Sequence, residues 1–195
     1  MNYLAHIYLS GDNPQLKIGN FIADSVKGKQ FIKFSPEIQK GIILHRAIDN
    51  FTDTHKIVKK SVHRLFPMYS HYSTVIVDIL YDHFLASNWK MYCEIPLEDY
   101  AQDFYGLLYD NFEDLPEKVQ QFLPYMEEDN WLVSYKSING IEKILGQMDR
   151  RTKNRSGMKN AVKELELYYN EFEQEFKMFF TELEDFTTDK INQLH

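Results

Sequence analysis

Val75-Ile-Val-Asp-Ile-Leu-Tyr-Asp-His-Phe-Leu85 is apolar on every side except for Asp78, Asp82 and His83. No Gly or Pro interrupts it. An α-helix that is hydrophobic all round is normally a buried one. A segment of this kind belongs in the core of a helical bundle. Outward from it, apolar residues recur at intervals of three and four, the helical period, and strand-like alternation is scarce. The expectation is an all-α chain, 1–195 forming one domain.

The spacing predicts helices near Asn2–Ser10, Gln15–Val26, Pro36–Thr54, Ile57–Phe66, Ser73–Asn88, Leu97–Asn111, Pro116–Tyr125, Trp131–Ser137 and Ile141–Arg151. Ser35-Pro36 is a strong start signal, with Ser as cap and Pro at the first helical position. Pro67 is expected to break the fourth helix. The last helix is the longest, about Gly157–Phe186. Its apolar positions are Met158, Val162, Leu165, Tyr169, Phe172, Phe176, Phe179, Leu183 and Phe186, a heptad pattern. Two uses of that seam stand: packing against its own domain, to which its bulky aromatics are better suited, or dimerisation.

Composition narrows the function. Of 195 residues, 44% are hydrophobic, with 14 Phe and 13 Tyr, so a folded core is expected and disorder is not. The lone Cys93 excludes an internal disulfide framework and a zinc site of two or more thiolates. It agrees with a reducing, cytoplasmic setting. No apolar run approaches the ~18 residues of a membrane span, and the first residues do not read as a signal peptide. The net charge of −7 argues against general nucleic-acid binding.

The polar residues inside apolar helices are the informative ones. His45 and Asp49 are four apart, about 40° from one another on a helix, and Asp53 continues the stripe. Asp78 and Asp82 repeat the spacing. Asp24 ends the apolar run Ile18-Gly-Asn-Phe-Ile-Ala-Asp24. Buried carboxylates and imidazoles are costly unless paired or bound to a cation. Ion pairing with Arg46, Lys27 or Arg64 is one solution. A shared divalent cation is the more economical one. Oxygen and imidazole ligands without thiolate suit Mn, Mg or Fe, and Zn less distinctively. A metal so held lowers the pKa of a bound water and polarises a phosphoryl oxygen, which points to metal-assisted hydrolysis.

With these residues in place, the sequence resembles the acyl carrier protein phosphodiesterase family, a divergent branch of the HD-domain phosphohydrolases. The resemblance is carried by Met1-Asn-Tyr-Leu-Ala-His6, Gly19-Asn-Phe-Ile-Ala-Asp24, His45-Arg-Ala-Ile-Asp49 with Thr52-Asp53, Asp78-Ile-Leu-Tyr-Asp-His-Phe-Leu85, Asn130-Trp-Leu-Val-Ser-Tyr135 and Gly146-Gln-Met-Asp-Arg-Arg151. It implies a single-domain helical bundle of HD type and a manganese-dependent phosphodiesterase. Such an enzyme removes 4′-phosphopantetheine from the serine of holo acyl carrier protein. One departure is visible: HD proteins place His and Asp adjacent in that order, whereas here they read Asp82-His83 and His45…Asp49.

The expected metal shell is Asp24, His45, Asp49, Asp78 and Asp82, with room for one or two of them to orient an imidazole from behind. His83 is the expected proton donor to the leaving serine, with His6 a second candidate for that role or for a ligand. Arg46 would neutralise phosphodiester charge, and Asp53 would orient the attacking water. Carrier proteins are acidic, so docking needs a local basic patch. Two are present: Lys56, Lys59, Lys60 and Arg64, and Arg150, Arg151, Lys153 and Arg155 leading into the last helix. Two other readings remain at this stage: an HD-type hydrolase of a nucleotide or other small phosphodiester, and a non-catalytic helical binding module.

Overall fold

The computed structural model describes residues 1–194. Among them are eleven α-helices and no strand, in keeping with the periodicity. They are α1 (Tyr3–Tyr8), α2 (Pro14–Ile22), α3 (Pro36–Thr54), α4 (Lys56–Tyr69), α5 (Ser73–Ser87), α6 (Leu97–Asp110), α7 (Glu117–Glu128), α8 (Trp131–Ser134), α9 (Ile138–Arg151), α10 (Val162–Leu167) and α11 (Tyr169–Leu194). No helix is long and apolar enough to cross a membrane among the described residues.

The all-apolar segment forms α5, whose residues from Ile79 to Ala86 are buried without a gap. Helix α11 lies along α3, α4 and α5. Its aromatic seam is consumed inside the chain: Phe176 meets Tyr81 and Phe84, Phe179 meets Phe51 and Tyr81, and Phe186 stacks on Phe51 at 4.4 Å. Aromatic pairs at these separations add about 0.5–1.5 kcal/mol each beyond burial. Internal packing, rather than dimerisation, accounts for the heptad pattern.

Helices α2 and α3 make the closest crossing, and glycine is the reason. A Cβ on Gly19 would stand 2.1 Å from the Ile38 carbonyl oxygen, and one on Gly41 would stand 2.3 Å from that of Leu16. Only hydrogen fits at either place. The two backbones therefore approach closely enough for Asn20 on α2 to bond directly to His45 on α3.

Local structure departs from expectation in three places. The last helix is not continuous from Gly157: a 3₁₀ turn over Met158–Asn160 precedes α10, Tyr168 leaves helical geometry at φ −116°, ψ 28°, and α11 runs past Phe186 to Leu194. Pro67 does not break α4. It lies in the last turn, where it takes away only the bond to the carbonyl of exposed His63, and the helix ends two residues later at Tyr69, before Ser70 at φ 49°. A 3₁₀ segment over Gly28–Lys33 joins α2 to α3 where no element was expected.

Candidate active site

Five polar side chains converge where α1, α2 and α3 meet. Helix α1 brings His6, α2 brings Asn20, the 3₁₀ turn after α2 brings Asp24, and α3 brings His45 and Asp49 one turn apart. The imidazoles of His6 and His45 stack with centroids 4.0 Å apart and planes 19° from parallel. Both histidines are buried.

Asn20, buried completely, sets the chemistry of both rings. Its amide nitrogen donates to the His6 carbonyl and to Ser10 Oγ, each at 2.9 Å. That orientation leaves its Oδ1 as an acceptor, 2.8 Å from His6 Nδ1. His45 Nδ1 meets the Asn20 backbone oxygen at 2.9 Å and Oδ1 at 3.2 Å. Both neighbours can only accept, so each histidine carries its proton on Nδ1. Each Nε2 is thereby left as the free ligand atom.

Those Nε2 atoms face carboxylates. His6 Nε2 lies 3.2 Å from Asp49 Oδ1, and His45 Nε2 lies 3.0 Å from Asp49 Oδ2 and 3.3 Å from Asp24 Oδ1. Ligand atoms of His6, His45 and Asp49 all lie within 4.8 Å of one another. His6 Nε2 is buried without a hydrogen-bond partner despite its closeness to Asp49. A lone pair facing an anion is unfavourable unless a cation lies between them. The donor set, two imidazole nitrogens fixed from behind and two carboxylates, fits a divalent cation of the Mn or Fe type.

A proton fills part of that need in the metal-free site. Burial alone would lower the His45 pKa, but hydrogen bonds and charge from Asp24 and Asp49 outweigh it and hold the imidazolium up to about 9. His6 is pushed down to about 4 by burial and by its charged neighbour His45, which Asp49 only partly offsets. The Asp49 carboxyl is held well below the usual range because both histidines outweigh its burial. Asp24 is lowered mainly by its hydrogen bond from His45.

The other expected site residues are engaged with other partners, although Asp78 lies near enough for the charges of Asp49 and Asp53 to act on it. Asp82 is buried and accepts from the backbone N–H groups of Leu4 at 2.8 Å, Asn2 at 3.1 Å and Ala5 at 3.4 Å, capping α1 from α5. Burial nevertheless raises its pKa to about 7. Asp78 accepts from the Met1 amino group at 3.0 Å. These two carboxylates are therefore not members of the cluster: they anchor the helix that carries His6. His83 does not reach the cluster either. Its Nδ1 is 2.8 Å from the Tyr135 carbonyl and its Nε2 is 3.3 Å from the Tyr169 hydroxyl, so both nitrogens brace the core. Arg46 turns outward, donating to the Gly28 carbonyl at 2.8 Å and lying over Phe31. Asp53 is exposed one turn beyond Asp49.

Asn20 was missed as a functional residue. The signal was present: an amide inside an otherwise apolar helix, one residue after a glycine. Of the two basic patches, the first is partly neutralised. Arg64 pairs in two-pronged fashion with buried Glu175 at 2.6 Å, and Lys60 joins at 3.1 Å. Arg150, Arg151, Lys153 and Arg155 are exposed at the end of α9 and the turn after it, and none makes an ion pair among the described residues.

Comparison with known proteins places the chain among relatives of one family. The family model described as acyl carrier protein phosphodiesterase matches residues 1–183. A Photorhabdus laumondii protein named acyl carrier protein phosphodiesterase is 30% identical over 92% of this chain and 91% of its own length. Proteins of the same name from Yersinia enterocolitica and Yersinia pestis are 29% and 30% identical, covering 97% and 92% of this chain and 99% and 94% of their own. No solved structure matches. Each segment that carries the resemblance falls within the matched span, and the chain belongs to the acyl carrier protein phosphodiesterase family, hydrolases of phosphodiester bonds.

Proposed function

We propose that this chain hydrolyses the phosphodiester joining 4′-phosphopantetheine to the serine of holo acyl carrier protein, using a divalent cation, manganese in preference to magnesium or iron. The observation that carries the reading is the set of His6 Nε2, His45 Nε2 and the Asp49 carboxylate within 4.8 Å, with both tautomers set by Asn20. His6, His45 and Asp49 would hold the cation, with Asp24 as the exposed fourth ligand. We read the scaffold as a divergent HD-type bundle in which Asp78 and Asp82 hold α1 in place. The acidic carrier protein would dock on Arg150, Arg151, Lys153 and Arg155, and the setting is the cytoplasm.

The residues divide the work by position. Asn20 keeps both Nε2 atoms aimed inward, so that the loss of the His45 proton is all that ring needs to act as a ligand. Asp49 compensates the charge that gathers in the buried part of the site. Asp24, largely exposed, lies on the side from which a substrate arrives. When bound, the cation supplies a water of lowered pKa and polarises the phosphoryl oxygen. In the reaction, water adds to phosphorus, the bond from phosphorus to the serine oxygen breaks, and serine leaves as its hydroxyl.

The test is mass spectrometry of holo carrier protein incubated with the purified protein, with and without Mn²⁺. The expected result is metal-dependent loss of the whole phosphopantetheine arm. Asp49→Ala should abolish turnover, by at least 10³-fold, while the protein stays folded. Intact holo carrier protein after incubation with Mn²⁺, or full activity of Asp49→Ala, would refute the reading.

A further inference from the structure

A cleft of about 250 Å³ opens beside Asp24. Its walls are largely apolar, from Tyr3, Val75, Trp131, Tyr135, Ile144 and Met148, with Asn2, Asp78 and Gln147 among them, and Arg151 stands on its rim. The charges of Asp24 and Arg151 both act on the Tyr3 phenol, so the two flank the same mouth. A second surface hollow continues from Trp131 and Arg151 to Arg150, so the cleft opens on the unpaired basic face. The indole N–H of Trp131 is buried and has no acceptor among the described residues.

We infer that this cleft is the subsite for the prosthetic arm, with Arg151 holding the phosphate at its mouth and the walls around Trp131 and Ile144 enclosing the pantetheine chain. The inference rests on the proposed function and adds where the substrate lies. The polarity fits end to end. The arm is anionic at one end and otherwise a slim chain of alkyl segments broken by amides. The cleft is lined by one guanidinium and by Asp24, the exposed carboxylate of the cluster, together with aliphatic and aromatic surface. The scissile bond then lies at the mouth, with the carrier protein outside on the basic face and the arm inside. Arg151 is exposed, so its fork can meet two phosphate oxygens without a desolvated charge being left over in the free protein.

The test is calorimetric titration of 4′-phosphopantetheine into the Mn²⁺-loaded full chain. Arg151→Gln should weaken binding at least tenfold, and Arg151→Lys should recover part of the loss. Ile144→Trp, which fills the cleft, should also weaken it at least tenfold. Thermal unfolding of each variant reports whether the fold is kept, and exposed Arg151 gives little reason for it to be lost. Holo carrier protein cleavage by the wild type is scored in parallel. If the wild type cleaves and all variants bind the arm equally well, the cleft assignment is overturned while the activity stands. If the wild type neither cleaves nor binds, both are overturned.

Discussion

With the Nδ1 protons of His6 and His45 held by Asn20 oxygens, any cation entering between the Nε2 atoms must displace the one proton already there. That proton is on His45, whose pKa is about 9, while His6, at about 4, is already neutral at pH 7. Metal uptake near neutrality should therefore release about one proton, and Mn²⁺ affinity should rise about tenfold per pH unit up to about 9, then level off. The sign for stability is opposite. The raised His45 value stabilises the metal-free fold fully below its unfolded pKa near 6.5, and that contribution is lost as pH rises through about 9. Mn²⁺ titrations at several pH values, in buffers of different ionisation enthalpy, measure both slope and proton count. An affinity flat with pH would contradict the arrangement. At this scale the sequence was partly legible. His45 and Asp49 were readable because an i, i+4 polar pair on an apolar helix shares a face. Asp78 and Asp82 carry the same spacing for a different reason. Spacing shows that a carboxylate is buried, but not whether its partner is a metal or the exposed N–H groups of another helix.

At the level of elements, the site depends on the separation of α2 and α3, which the facing glycines set. Gly41→Ala would drive a methyl group into the α2 backbone at the Leu16 carbonyl, the Asn20 nitrogen and Gly19 Cα. Backbone cannot rotate away, so the helices must part. Overpacking of this kind costs about 1–3 kcal/mol, and Tm should fall by about 2–4 °C per kcal/mol. The bond from His45 to the Asn20 carbonyl spans the same crossing, so Mn²⁺ affinity should fall together with Tm. An unchanged Tm and affinity, measured by thermal unfolding and calorimetry, would show that the crossing is not the constraint described. Helix identities were legible, as was the Ser35 start signal that caps α3, whereas α2 opens at Pro14 behind an Asn13 cap that was expected only as part of the preceding turn. The break at Tyr168 was not. The apolar seam keeps its three-and-four spacing across the turn, so the pattern records which residues face inward and not whether the backbone between them stays helical.

On the scale of the whole molecule, a chain of net charge −7 must receive an acidic partner, and only a local field can favour that encounter. The patch around Lys60 and Arg64 is a weak source because Glu175 holds both. The group at the end of α9 is unpaired and borders the hollow that leads to the cleft. Reversing Arg150 and Arg155 to Glu, with Arg151 left in place, separates docking from phosphate binding. Rim charges of this kind contribute about 0.5–1 kcal/mol each, so reversing two should raise KM for holo carrier protein about tenfold. Turnover of bis(p-nitrophenyl) phosphate, which needs no docking, should not change. The loss should shrink as salt rises from 50 to 300 mM, because the Debye length, about 10 Å at 0.1 M, shortens and the exposed charges are screened. Equal losses on both substrates would mean that the two arginines act on the cluster itself, and a loss independent of salt would mean that the contact is not electrostatic.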